Sequence, residues 1–132
     1  MLKIHQYIVM CAPTTAQYAG VEALRNGDES VQKMKNDYDS RRRVMVHGFR
    51  EMGLDVFEPL GAFYVFPSIK STGLDTEDFC TRMLQEEKVA VVPGSAFGKC
   101  GEGFIRCAYA YSIDEIKMAL ERIENFIRKV RA

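Results

Sequence analysis

The C-terminal stretch constrains this chain more than any other segment. Ile113, Ile116, Leu120, Ile123, Ile127 and Val130 recur at alternating spacings of three and four, so residues 112–131 are predicted to form a helix with one apolar face. Ser112 stands just before the run and Glu115 three residues later, the pair that satisfies the first free N–H groups of a helix reciprocally. Asp114 and Glu115 meet the positive end of the helix dipole, and Arg128, Lys129 and Arg131 the negative end. A stripe this regular must be laid against another layer of structure.

The segments available to form that layer are short. Residues 56–58, 62–66, 89–92 and 104–109 are rich in aromatic and β-branched side chains, and Pro59, Gly61, Pro67, Pro93 and Gly94 punctuate them, which predicts four strands. Between the second and third lies a helix over 76–87, with Asp75 as its cap, Leu74 and Phe79 as a hydrophobic staple, and Phe79, Met83 and Leu84 as its stripe. From Val56 onward the expected order is therefore β-β-α-β-β-α, an α+β fold with a small mixed or antiparallel sheet covered by helices. Both strand pairs are candidate hairpins, although the connection 93–103 is too long for a tight turn. Upstream, a helix over 30–52 places Val31, Met34, Tyr38, Met45, Phe49 and Met52 on one face, with Asp28 as cap and Gly53 as stop. A helical lead-in precedes it: residues 2–11, a break at Pro13, then 14–24 with Ala16, Ala19, Gly20 and Ala23 on one side. This divides the chain into a lead-in, 1–27, and a domain, 28–132. The first helix has neither cap nor leading turn, as in a chain cut from something larger.

At 132 residues the chain is long enough for one real core without disulfides or metal. Lys plus Arg and Asp plus Glu both number 18, and the dense basic run, Arg41 to Arg43, has Asp37 and Asp39 beside it, so it is read as a solvated helix face. Neither nucleic acid nor an anionic membrane is implied as a partner. No stretch resembles a signal peptide or a membrane span, and the expected compartment is the cytoplasm. Cys11, Cys80, Cys100 and Cys107 form no C-x-x-C pair, and His5 and His47 are distant in sequence, so reduced thiols and no metal site are expected.

One residue stands out against its surroundings. "GFIRCAYA", residues 103–110, reads as a buried strand with Arg106 in its middle. A guanidinium keeps its charge under all ordinary conditions, so burying it costs several kcal/mol, on the order of 2 to 5, unless an anion with planar geometry sits beside it. That anion is either an Asp or Glu of the chain or a bound ligand. Just upstream, Gly94, Gly98, Gly101 and Gly103 make a loop that allows close backbone approach, as at the edge of a ligand site. It is not a P-loop, because Cys100 follows Lys99 where Ser or Thr is required, and a strand rather than a helix comes next.

"PLGAFYVFP" (59–67), "VAVVPGSAFG" (89–98) and "GEGFIRCAYA" (101–110), in this order and followed by a capped terminal helix, resemble the C-terminal small domain of pyridoxal-phosphate aminotransferases of fold type I, the aspartate aminotransferase family. "PTTAQYAGVEAL" (13–24) is similar to the helix that follows the lysine segment of that family. The resemblance implies that Arg106 binds the substrate α-carboxylate, that Phe63, Tyr64, Ser95 and Phe97 shape the substrate side of the domain, and that the complete enzyme moves an amino group between an amino acid and a 2-oxo acid. It further implies a large domain of the same polypeptide as a partner, a homodimer, and pyridoxal phosphate as cofactor. The lysine that anchors the cofactor has no counterpart among Lys3, Lys33, Lys35, Lys70, Lys88, Lys99, Lys117 and Lys129, so this chain alone is expected neither to bind the cofactor nor to be active. The same clamp serves related β-lyases and aminocyclopropane-carboxylate synthases. A free-standing α+β interaction module, with Arg106 paired to an internal acid and the small-residue helix face mediating assembly, is the alternative of a different class. Ile4, Ile8, Phe63 and Phe97 are candidates for a patch exposed in the absence of the large domain.

Overall fold

A computed structural model describes all 132 residues, which divide into two compact units, 1–36 and 37–132. In the first, α1 (Leu2–Ile8) and α2 (Thr14–Asn26) bury no residue, and neither has a side-chain cap. The first run stops at Ile8, where Val9 is already extended, short of the expected residue 11, and Pro13 immediately precedes α2. The long helix α3 (Asp28–Glu51) begins in the first unit and ends in the second. Asp28 is its first residue rather than its cap. Its apolar stripe is continuous in sequence but not in burial: Met45, Val46 and Phe49 are buried, whereas Val31 and Met34 are exposed.

The second unit carries the core. Past α3 the chain reverses at Gly53, whose φ of 73° needs no strain from a glycine, and the N–H groups of Gly53 and Leu54 donate to the carbonyls of Arg50 and Phe49. The sheet has three strands, β1 (Tyr64–Val65), β2 (Val92–Pro93) and β3 (Ile105–Ala108), in the order β1-β3-β2. Both pairings are antiparallel, with Tyr64 opposite Ala108, Val65 opposite Cys107, Val92 opposite Arg106 and Pro93 opposite Ile105. Helix α4 (Thr76–Glu87) follows β1 and α5 (Ile113–Arg131) closes the chain. Both start as their sequences dictate: Asp75 accepts from the Asp78 N–H, and Ser112 and Glu115 form the reciprocal capping box.

Val65, Ile105, Cys107 and Tyr109 join Met45, Phe49, Phe79, Met83, Ile116, Ile123, Phe126 and Ile127 in one buried cluster. Phe79 and Phe126 meet edge to face at 5.1 Å. α3 and α5 come so close at Gly48 that a Cβ there would lie 2.7 Å from a methyl of Leu120. No helix is long and apolar enough to cross a membrane.

Several expectations are corrected. Residues 56–58 form no strand; a single bridge joins Val56 to Pro67, and prolines at 59 and 67 withhold the N–H groups a ladder would need. The first expected hairpin is therefore absent, and the order after α3 is β-α-β-β-α. The second pair does form, across a connection containing the 3₁₀ turns Gly94–Phe97 and Lys99–Gly101. Its first strand is shifted, since only Val92 and Pro93 face β3, and 89–91 are outside the ladder. Ile113 and Leu84 are exposed, and α5 instead buries Phe126.

The basic run is not a solvated face either. Arg42 is largely covered and donates to both Asp39 and Glu58, Arg50 reaches Glu58 at 3.0 Å, and the Arg41 guanidinium lies 5.5 Å from the Tyr38 ring centroid. Only Arg43, paired with Asp39 at 2.6 Å, is mostly solvated. Hydrogen bonds from Arg42 hold the carboxyls of Asp39 and Glu58 below their ordinary range.

Two outcomes follow. Phe126→Ala should cost about 3–5 kcal/mol in urea unfolding, against under about 0.5 kcal/mol for Leu60→Ala at an exposed site. Asp39 and Glu58 bind protons less readily folded than unfolded, so their contribution is present above the ordinary carboxyl pKa of about 4 and is lost as pH falls below it. Arg42→Met should flatten that acid limb in pH-dependent melting, and an unchanged limb would show that the cluster does not act in this way.

Candidate functional site

The site is built on β3, the central strand. Its residues alternate between faces: Ile105 and Cys107 are buried, while Arg106 and Ala108 are only half-buried. The strand is therefore not buried on both sides, and the apparent fault of a fixed charge in a core disappears. Arg106 stands on the open face of the sheet. Residues directly opposite in an antiparallel pair share a face, so Val92 and Tyr64 stand there too, Tyr64 diagonal to Arg106.

Within the chain Arg106 has rings for neighbours, not acids. Its guanidinium carbon lies 4.5 Å from the centroid of Tyr64 and 4.6 Å from that of Phe97. Every arginine–carboxylate ion pair belongs to Arg42, Arg43, Arg50 or Arg82, so the internal acid considered from sequence is not there. The rings extend in a row: Phe63 tilts on Tyr64 at 4.5 Å and stacks on Tyr38 at 5.7 Å, and Phe97 meets Phe66 edge-on at 5.7 Å. Sequence places Tyr38 on a helix face and Phe66 in a strand, and assigns neither to the site. Two-residue alternation in "FYVF" was the available signal for Phe66, which shares parity with Tyr64. Ser95 is drawn elsewhere, its hydroxyl donating to Glu77 at 2.8 Å.

Two devices hold these groups in place. Ala62, with a left-handed φ of 57°, turns the chain into β1. Tyr109 secures that turn: its N–H donates to Phe63 and its hydroxyl to the Ala62 carbonyl at 3.2 Å. On the other side, the loop carrying Phe97 folds on itself where Gly94 and Gly101 pass. A Cβ on Gly94 would fall 2.2 Å from the Gly101 oxygen, and one on Gly101 would fall 2.0 Å from the Gly94 oxygen, so only glycine fits at either position. Glu102 then clasps the loop to α4, accepting from the Thr76 N–H at 3.1 Å and the Thr76 hydroxyl at 2.5 Å. That hydroxyl accepts in turn from the Gly103 N–H at 2.9 Å. The Thr76 hydroxyl, foremost, keeps the Glu102 carboxyl below its ordinary range. Sequence inspection missed this clasp because its partners are 26 residues apart.

The remaining chemistry-bearing residues are silent. Cys80 and Cys107 are buried, and burial pushes their thiols up to about 11 and about 12, so neither is a nucleophile at neutral pH. Cys11 and Cys100 are exposed free thiols. No group of three His, Cys, Asp or Glu side chains is placed to hold a metal.

Residues 3–123 match the family described as aminotransferase class I and II, and the chain belongs to that family. It is 55% identical over 129 residues to a putative aminotransferase, YugH, of Bacillus subtilis, and 45% identical over 131 residues to an aspartate aminotransferase of Pyrococcus abyssi. Those alignments cover 98% of this chain but 33% and 34% of the relatives. The chain thus spans about a third of the length of the curated relatives it matches. Among solved structures it resembles an aromatic aminotransferase from Pyrococcus horikoshii, with a TM-score of 0.92 and 43% identity over 96% of this chain and 34% of that one.

The family implies pyridoxal phosphate, whose covalent attachment needs an accessible lysine in the site. Three of the chain's eight lysines are engaged elsewhere. Lys70 lies over the Phe104 ring at 5.0 Å, Lys129 is paired with Glu87, and Lys88, though it lines a cleft of about 370 Å³ together with Arg106, gives its ammonium to the Gln85 carbonyl.

Thr76→Val removes one hydroxyl that serves both Glu102 and Gly103. It should cost about 1–3 kcal/mol and speed hydrogen exchange at the Gly103 amide; unchanged protection there would mean that the clasp does not hold the loop.

Proposed function

We propose that this chain is the C-terminal part of an aminotransferase, with residues 1–27 leading in from a large domain and 28–132 forming the small domain, and that Arg106 binds the α-carboxylate of the amino acid or 2-oxo acid substrate. The observation that carries this is the state of Arg106: an arginine on an open sheet face, between two aromatic rings, with no carboxylate of the chain on it.

An incoming carboxylate takes two parallel hydrogen bonds from the guanidinium fork, which a lysine ammonium cannot offer in one plane. Binding at one end of the substrate fixes the direction in which its Cα projects, so orientation rather than proton transfer is what this chain contributes. Pyridoxal phosphate, anchored by a lysine outside these residues, supplies the electron sink in the complete enzyme. Because Arg106 stands on a domain separate from that anchor, carboxylate binding favours a closed arrangement of the two domains, which excludes water from the site.

The large domain of the same polypeptide and a second subunit are the proposed partners. Exposed Ile4, Ile8, Phe63 and Phe97 support this reading, as do Leu2, Tyr7 and Leu24, since helices that bury nothing of their own have apolar surface left to cover.

In the complete enzyme, Arg106→Gln should lose about 2–5 kcal/mol of binding toward every amino-acid substrate regardless of side chain. Steady-state kcat/KM for a neutral, an acidic and an aromatic amino acid would measure it. A loss confined to one side-chain class would assign Arg106 to side-chain recognition instead.

A further inference from the structure

The clamp needs its charge held in place before the substrate arrives, and the open face of β3 holds it in an unusual way. An internal carboxylate would satisfy Arg106 electrostatically, but it would occupy the same in-plane N–H donors that a substrate carboxylate requires. The structure avoids this competition. Tyr64 and Phe97 lie 4.5 and 4.6 Å from the guanidinium carbon, and an aromatic quadrupole stabilises a cation over the ring face without placing a carboxylate on its N–H donors. The two rings reach Arg106 from different elements, Tyr64 from β1 and Phe97 from the 3₁₀ turn after β2.

We infer that Tyr64 and Phe97 are positioning residues for Arg106: they bracket the guanidinium, fix its plane and leave its hydrogen-bonding edge free, rather than contacting substrate themselves. This rests on the carboxylate-binding role proposed for Arg106. It also explains why each ring is itself supported, Tyr64 by Phe63 and Phe97 by Phe66, since a bracket that moved would lose its orienting effect. The Glu102–Thr76 clasp and the Gly94–Gly101 crossing have the same consequence, because they fix the loop on which Phe97 stands. A bulky apolar wall alone would need none of this directionality.

The test is a double-mutant cycle in the complete enzyme, read in the single-turnover reaction with whichever of the twenty common amino acids reacts fastest. Phe97 is half-exposed on a loop, so Phe97→Leu preserves bulk and folding while removing the ring. It should raise the half-saturating amino-acid concentration by about 2- to 30-fold, the range of one cation–π contact, with a smaller change in the limiting rate. Tyr64→Leu should do likewise, whereas Phe97→Tyr and Tyr64→Phe, which keep a ring, should stay near the parent value. In an Arg106→Lys background, which has no plane to hold, the leucine substitutions should cost several-fold less.

Leucine variants that saturate as the parent does would overturn the inference, and so would an equal cost in both backgrounds, which is the signature of simple packing. If Arg106→Gln leaves saturation unchanged, the carboxylate-binding role fails and the bracket with it. If Arg106→Lys is impaired and the leucine variants are not, only the bracket fails.

Discussion

Everything at the open face depends on β3 lying between two short neighbours and burying only one side. Ile105 and Cys107 anchor the strand in the cluster formed by α3, α4 and α5, and the obligatory alternation of side chains then sends Arg106 outward. A slip of one residue would put the guanidinium in the core and an isoleucine in the site. The register is set by Val65 and Tyr64 on one side and Val92 and Pro93 on the other. Four residues of neighbouring strand are enough because the buried face is continuous with the stripe of α5.

Two arginines in one domain show how environment divides their tasks. Arg42 is held by Asp39 and Glu58, its donors are used, and it ties the C-terminal half of α3 to the segment that follows the helix. Arg106 has only rings against it. In the first, charge is neutralised and the group becomes structural. In the second, charge is stabilised without the donors being consumed, which is the condition a binding group has to meet. Residue type cannot distinguish the two, since both are half-buried arginines and differ in what the fold brings against them.

The elements legible in sequence are those whose causes are local. The caps of α4 and α5 depend on residues three apart, so Asp75, Ser112 and Glu115 could be assigned from spacing alone. The stop at Gly53 is equally local. Strands were harder, because aromatic and β-branched content at 56–58 and 89–91 describes a preference, and a ladder also requires a partner at the right register. At 56–58 flanking prolines deny it one beyond the single Val56–Pro67 bridge. Arg106 was found for a sound reason, the cost of an unpaired guanidinium, applied to a burial that was overstated because a four-residue strand was read without its face. Of the residues grouped with it, Tyr64 and Phe97 do meet the guanidinium, Phe63 supports Tyr64, and Ser95 turns to Glu77.

By itself, then, the sequence determined the helices, the caps of α4 and α5, the stop at Gly53 and the one arginine whose charge demands an account, because each follows from residues within a turn or two of one another. Tertiary structure alone decided which face Arg106 occupies, that rings rather than acids surround it, and that Gly94 and Gly101 cross with Glu102 locking them to α4. Those outcomes depend on contacts between segments from 7 to 42 residues apart, and strand pairing and loop closure, not local preference, bring such segments together.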